Sequence, residues 1–216
     1  MAKRTTKKAA KGKPKSKAGK RRAEAPGADA VLDAALRRAA LDGWRSVTLA
    51  DIAQEASAAE DDVRALFANK AAVLRGLLAR VDTRVAASLA EDPCDGTSAR
   101  DRLFDVLMRR FDALAHDRDG MVAIISAIGC DPKQAACMLP RLLCTMAKAL
   151  KAAGLTSKGP CGAVRVKGLA LVYGDALRAF MADDGADLAK TMAALDRGLR
   201  RAEACARFLG WARPAA

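Results

Sequence analysis

The strongest constraint on this chain is a period. From Val31 onward apolar side chains return every three or four residues, and no convincing stretch alternates in twos as a half-buried strand would. Val31, Leu32, Ala35, Leu36, Ala39 and Ala40 mark a first helix, which Asp42-Gly43 ends with a residue suited to positive φ. Trp44 and Val47 follow as apolar plugs. Thr48 is placed to cap a short second helix whose buried face is Leu49, Ile52, Ala53 and Ala56. Asp51 stands where a capping box carries its acid. After a break at Ser57-Ala58, a third short helix is expected to turn Val63, Leu66 and Phe67 inward. Asn69 can cap a fourth, from Ala71 to about Ala90, striped by Val73, Leu74, Leu77, Leu78, Val81 and Val85.

The stretch EDPCDGTS, residues 91–98, is rich in turn formers and separates this part from the rest. Beyond it Leu103, Val106, Leu107, Phe111 and Leu114 form a stripe that Phe104 and Met108 broaden. Met121, Val122, Ile124, Ile125 and Ile128 form the next, stopped by Gly129 and Pro132, and 138–150 carry a third. Residues 164–182 are apolar on more than one side. Such a helix must be covered by its own core and by something further, such as a second subunit. The last helix aligns Leu188, Met192, Leu195 and Leu199, the residues expected at a dimer interface, and runs on towards Phe208, Leu209 and Trp211. The expected architecture is all-α with about nine helices. It comprises a three-helix head (26–72), a connecting helix (73–92) and a helical bundle (97–212).

Composition agrees with helix packing: 51% of residues are apolar and only 4% aromatic, too few aromatics for a typical sandwich core. No apolar run reaches the roughly 18 residues of a membrane span, and no signal-like segment follows the basic start, so membrane insertion is not expected. Cys130, Cys137 and Cys144 recur every seven residues, but Pro132 and Pro140 argue against one continuous helix there. With no C-x2-C pair and a single histidine, His116, a metal site is not expected. The six cysteines read as buried free thiols in a reducing cytoplasm. The same scarcity of His, paired carboxylates and nucleophile motifs leaves acid–base catalysis little to work with, so neither an enzyme nor a cofactor is expected.

The net charge of +13 is concentrated at one end. Residues 1–22 hold Lys3, Arg4, Lys7, Lys8, Lys11, Lys13, Lys15, Lys17, Lys20, Arg21 and Arg22 with no acid, while the other 194 residues balance to +2. With almost no large apolar side chain, residues 1–25 are expected to be disordered. A flexible polycation of this kind raises nucleic-acid affinity by releasing counterions, without reading sequence.

Two short helices joined by a tight turn and braced by a preceding helix form the physical unit of helix-turn-helix proteins. The stretches VLDAALRRAALDGWRSVTLADIAQEAS and LFANKAAVLRGLLARV resemble the TetR family of bacterial transcriptional regulators, with Leu32, Ala34, Ala35, Gly43, Trp44, Val47, Thr48, Ile52, Ala53, Ala56, Phe67, Asn69, Lys70 and Leu74 at matching positions. The resemblance covers about residues 28–80. It implies double-stranded DNA as a partner, a homodimer, a small-molecule ligand in the bundle and a bacterial cytoplasmic, nucleoid-associated location. DNA contacts would come from Arg45, Thr48, Ala59, Glu60, Asp61, Asp62, Arg64, Ala65 and Lys70. The apolar bundle points to a mainly hydrophobic ligand, held by Phe104, Met108, Phe111, Ile125, Tyr173 and Leu177.

The departures from the family pattern fall on the reading helix. The family's turn glycine is Ser57, its recognition-helix tyrosine is Arg64, and the helix opens on Glu60-Asp61-Asp62. Between residues 45 and 75 four basic residues face five acidic ones, where a groove-binding face is usually positive. A second expectation therefore stands beside the first: a TetR-shaped lipid or isoprenoid carrier without operator binding, similar to the lipid-binding accessory protein of ubiquinone biosynthesis.

Overall fold

The computed structural model describes residues 27–94, 98–185 and 187–208, and there the regular structure is entirely helical. The basic tail and the residues after Phe208, Leu209 and Trp211 included, lie outside the described residues. Three short helices, α1 (Ala28–Asp42), α2 (Leu49–Glu55) and α3 (Glu60–Leu66), lead into the long α4 (Lys70–Glu91). Five more follow: α5 (Ala99–Ala115), α6 (Arg118–Gly129), α7 (Pro132–Ala152), α8 (Gly159–Met181) and α9 (Ala189–Phe208).

The helix ends fall where the sequence chemistry puts them. Gly43 adopts φ 75° and its N–H closes α1 on the Ala39 carbonyl. Thr48 and Asp51 form the reciprocal capping box at α2, and Asn69 accepts from the Ala72 amide at the start of α4. Trp44 and Val47 are buried between α1 and α2, as plugs should be.

Leu66 departs from its expected inward position. It is 44% exposed, because α3 stops there and the chain turns extended at Phe67, which alone swings under α4. The Phe67 ring lies so close to Gly76 of α4 that an added Cβ would stand 2.8 Å from it. Val63 and Phe67 therefore make the inner face of this turn.

In the remainder, α5 and α8 supply the centre. Phe111 stacks on Tyr173 with ring centroids 5.2 Å apart and meets Phe180 at 5.6 Å. Helix α9 lies along α8, with Gly198 letting Val172 approach, and closes the core through Leu195, Leu199 and Leu188 just before it. Cys130, Cys137 and Cys144 do not share one helix, as expected: Cys130 ends α6, and Pro132 opens α7 where a missing N–H costs nothing. Two points are corrected. Pro140 takes no part in that break and sits inside α7, on an exposed stretch where water can bond the carbonyl it leaves unpaired. Five of the six cysteines are exposed and only Cys94 is partly covered, so they are not core hydrophobes. Among the described residues no single helix is long and apolar enough to cross a membrane.

Candidate nucleic-acid interface

The helix-turn-helix is assembled by local chemistry. At α2 the Thr48 amide and hydroxyl donate to the Asp51 carboxylate at 2.8 and 2.7 Å, and the Asp51 amide returns a bond to the Thr48 hydroxyl oxygen. Those bonds, the Thr48 hydroxyl first, hold the Asp51 carboxyl below its usual range. The turn runs through Ser57 in the left-handed region at φ 53°, the position of the family's glycine. Its strain is held by the Ser57 and Ala58 amides, which donate to the Gln54 and Ala53 carbonyls. Arg37 of α1 bonds Glu55 at 2.7 Å and fixes the end of α2 against the bracing helix.

The structure places the expected DNA contacts in three groups. Thr48, Ala59, Asp61, Arg64 and Ala65 are exposed around α2 and α3, with Glu60 and Asp62 half-buried beside them. Arg64 is already paired to Glu60 at 2.6 Å, one helical turn back. Among the described residues no ion pair engages Asp61 or Asp62. Lys70 is turned inwards: its ammonium donates to the Trp44 carbonyl and, at 3.2 Å, to that of Arg45, lying 4.7 Å from the centre of the Trp44 ring. Burial pushes its pKa down. Arg45, though exposed, lies near the corner between α6 and α7. There the Gln134 amide and side chain do most to hold the Asp131 carboxyl low, and Arg45 adds a smaller part. The exposed face of α3 is thus acidic at its start, with its one arginine spoken for.

The seating of the head on the body has no counterpart in the sequence pattern. Helix α1 crosses α6 at Gly120, where an added Cβ would stand 2.6 Å from the Leu36 carbonyl oxygen. Arg80 of α4 pairs with Asp33 of α1 at 2.5 Å and with Asp117 at 3.3 Å, and Arg84 joins Asp117 at 2.8 Å. These residues border an open cleft of about 930 Å³ between α1, α4 and the start of α6. Periodicity cannot reveal pairs whose members lie tens of residues apart.

The other two groups of expected residues sit elsewhere. Phe111 and Tyr173 are buried, and Phe104, Met108, Ile125 and Leu177 are partly covered against the same core. None of the six lines the cleft. Leu188, Leu195 and Leu199, expected at a dimer interface, are each less than 5% exposed and are corrected to the chain's own core. The stripe faces α8 and α5 rather than outward, and only Met192 of the four is exposed. The outward large apolar residues of this pair are Val164 and Leu171 on α8, with Leu171 77% exposed, and Met192 and Phe208 on α9.

The sequence matches no family model and no curated protein. Among solved structures, the TetR transcriptional regulator from Nitrosomonas europaea ATCC 19718 superimposes with a TM-score of 0.68 at 23% identity, covering 82% of this chain and 97% of that one. The chain has the fold of a TetR transcriptional regulator.

Proposed function

We propose that this protein is a one-component transcriptional regulator: a homodimer that binds operator DNA through α2 and α3 and responds to a small ligand in its bundle. The observation that carries the proposal is the pair of short helices, the capped α2 and the uncapped α3, joined through Ser57 and braced by α1 through Arg37–Glu55. Residues 26–72 would be the DNA-binding head, 73–92 the connecting helix and 97–212 the dimerisation and ligand bundle. The acidic start of α3 cannot attract phosphate, so the tail at residues 1–25 supplies the electrostatic part of the affinity. The dimer would form on the outward faces of α8 and α9, where Val164, Leu171 and Met192 are exposed. Lys167, Asp175 and Arg178 on the exposed side of α8 offer charges of both signs for a two-fold partner.

Selection of bound sequences from a random pool tests this, followed by gel shifts of the full chain, residues 23–216 and Arg64→Ala at two salt concentrations. A regulator keeps its site preference without the tail and loses affinity. No enriched sequence, with all binding abolished by tail removal, refutes operator recognition. Leu171→Asp should convert the dimer to a monomer on size exclusion.

The carrier reading keeps one observation in its favour: an exposed α3 whose only arginine is tied to Glu60. Co-purified lipid on a chain that selects no DNA sequence would establish it instead.

A further inference from the structure

Cations of α5 and α7 converge on one carboxylate of α4. Asp82 of α4 holds Arg110 of α5 on one oxygen at 2.6 Å and Arg141 of α7 on the other at 2.8 Å. Lys148 of α7 lies 3.7 Å from that second oxygen, and Arg110 Nε donates to the Tyr173 hydroxyl of α8 at 3.3 Å. Three cations thus share one anion, leaving an excess of two positive charges in the cluster. Arg110 is buried against the partly exposed Asp82, and a buried guanidinium needs such a partner. Arg141 and Lys148 are not required for that balance. They keep 33% and 65% of their side-chain surface, and like charges gathered around one carboxylate repel each other.

The surroundings on α7 are apolar on one side and polar on the other. Met138 and Leu142 flank Arg141 half-buried, Leu139 beside them is half-exposed, and Thr145 lies on the same face between Arg141 and Lys148. We infer that this cluster is a binding site for an amphiphilic anion, a carboxylate or phosphate monoester with an apolar chain. Arg141 and Lys148 hold the acid head, and the chain lies along Met138, Leu139 and Leu142. The site deepens the regulator reading, and its effector role rests on that reading. A bound anion competes with Asp82 for Arg141 and Lys148, and Asp82 belongs to the helix whose Arg80 ties Asp33 of α1 to Asp117.

Isothermal titration of the full chain at low salt, with sodium decanoate, decyl phosphate, inorganic phosphate and decanol, tests the site. Saturable binding of decanoate or decyl phosphate, at one per chain and at least tenfold tighter than decanol, supports it, and the tighter of the two names the head group. No binding, decanol equal to decanoate, or inorganic phosphate equal to decyl phosphate overturns it. Lys148→Ala, at the most exposed of the three cations, and Arg141→Gln should each weaken binding at least tenfold. Asp82→Asn should tighten it severalfold by neutralising the competitor, which a merely structural aspartate would not do. If Asp82→Asn fails to fold, an unchanged affinity in Lys148→Ala still overturns the site. Gel shifts on the same samples separate the two readings. Sequence-specific DNA binding in a chain that binds no anion refutes the site and leaves the regulator standing. Anion binding in a chain that selects no DNA sequence does the reverse.

Discussion

Gly120→Ala should loosen the head from the body, and the size of the effect follows from the crossing of α1 and α6. The new Cβ would stand 2.6 Å from the Leu36 carbonyl oxygen, 2.9 Å from Leu36 Cδ2 and 3.0 Å from the Leu36 carbonyl carbon. Ordinary contact begins at about 3.5 Å, so the helices must part by roughly 1 Å. Two of the three atoms are backbone, and no rotamer change can move them aside. Overpacking of this kind costs about 1 to 3 kcal/mol. Replacing glycine by alanine in a helix returns up to about 1 kcal/mol. Gly129→Ala in the same helix isolates that gain, because nothing lies within 4 Å of its added Cβ. The two variants should therefore differ by about 1 to 3 kcal/mol, or roughly 2 to 12 °C in melting temperature for a chain of this size. Urea and thermal unfolding followed by circular dichroism measure the gap. If the two variants melt together, the close approach of Leu36 and Gly120 is not a real constraint, and α6 does not seat the head.

Ser57→Gly should raise stability by about 0.5 to 1 kcal/mol in urea melts. A left-handed residue with a side chain costs about 1 to 2 kcal/mol, and glycine's looser unfolded state takes back part of that. Thr48→Ala removes both bonds of the Thr48 hydroxyl, leaving only the residue-48 amide to donate to Asp51, and should cost about 1 kcal/mol, read by the same melts. The box is also a pH sensor with a definite sign. Asp51 titrates below its ordinary 3.8 when folded, so its contribution is complete above that value and fades as pH falls through the lower folded one. A Thr48→Ala chain should lose stability less steeply in that acid range than the parent. Burial and the bond to Asp105 at 2.8 Å push the Cys94 thiol up to about 11. At pH 8 a disulfide reagent should modify the five exposed cysteines quickly and Cys94 only after unfolding. Equal rates for all six would contradict that environment.

The helices were legible because their signals are local. Gly43, Thr48 with Asp51, and Asn69 each act within one turn of themselves, and each ends or starts a helix where its chemistry requires. The stripes of α1 and α4 turn inward much as their spacing says, apart from Ala40, which is exposed at the edge of its stripe. Local signals failed where a neighbour decides the outcome. Leu66 keeps helical register with Val63, yet the chain leaves the helix at the next residue and only Phe67 turns in. Leu188, Leu195 and Leu199 form a stripe, but a stripe does not say whether it faces its own core or a second chain. Pro140 forbids one hydrogen bond, and on an exposed stretch water can replace it.

The interface was harder to read for an electrostatic reason. Counting charges along 45–75 treats each as free, whereas Glu60 holds Arg64 and two backbone carbonyls hold Lys70. The one-dimensional balance of four cations against five acids therefore overstates what α3 can offer a phosphate. The reverse error occurs in the bundle. Asp82, Arg110, Arg141 and Lys148 are scattered over nearly seventy residues and carry no motif, yet they meet at one carboxylate with positive charge to spare. Among the described residues the exposed start of α3 is acidic, while unbalanced cations of α5 and α7 gather at Asp82. Under the regulator proposal, DNA affinity comes from charge outside α3. Removing residues 1–22 should accordingly flatten the salt dependence of DNA binding far more than Arg64→Ala does, since the slope falls by about one for every phosphate left without its cation.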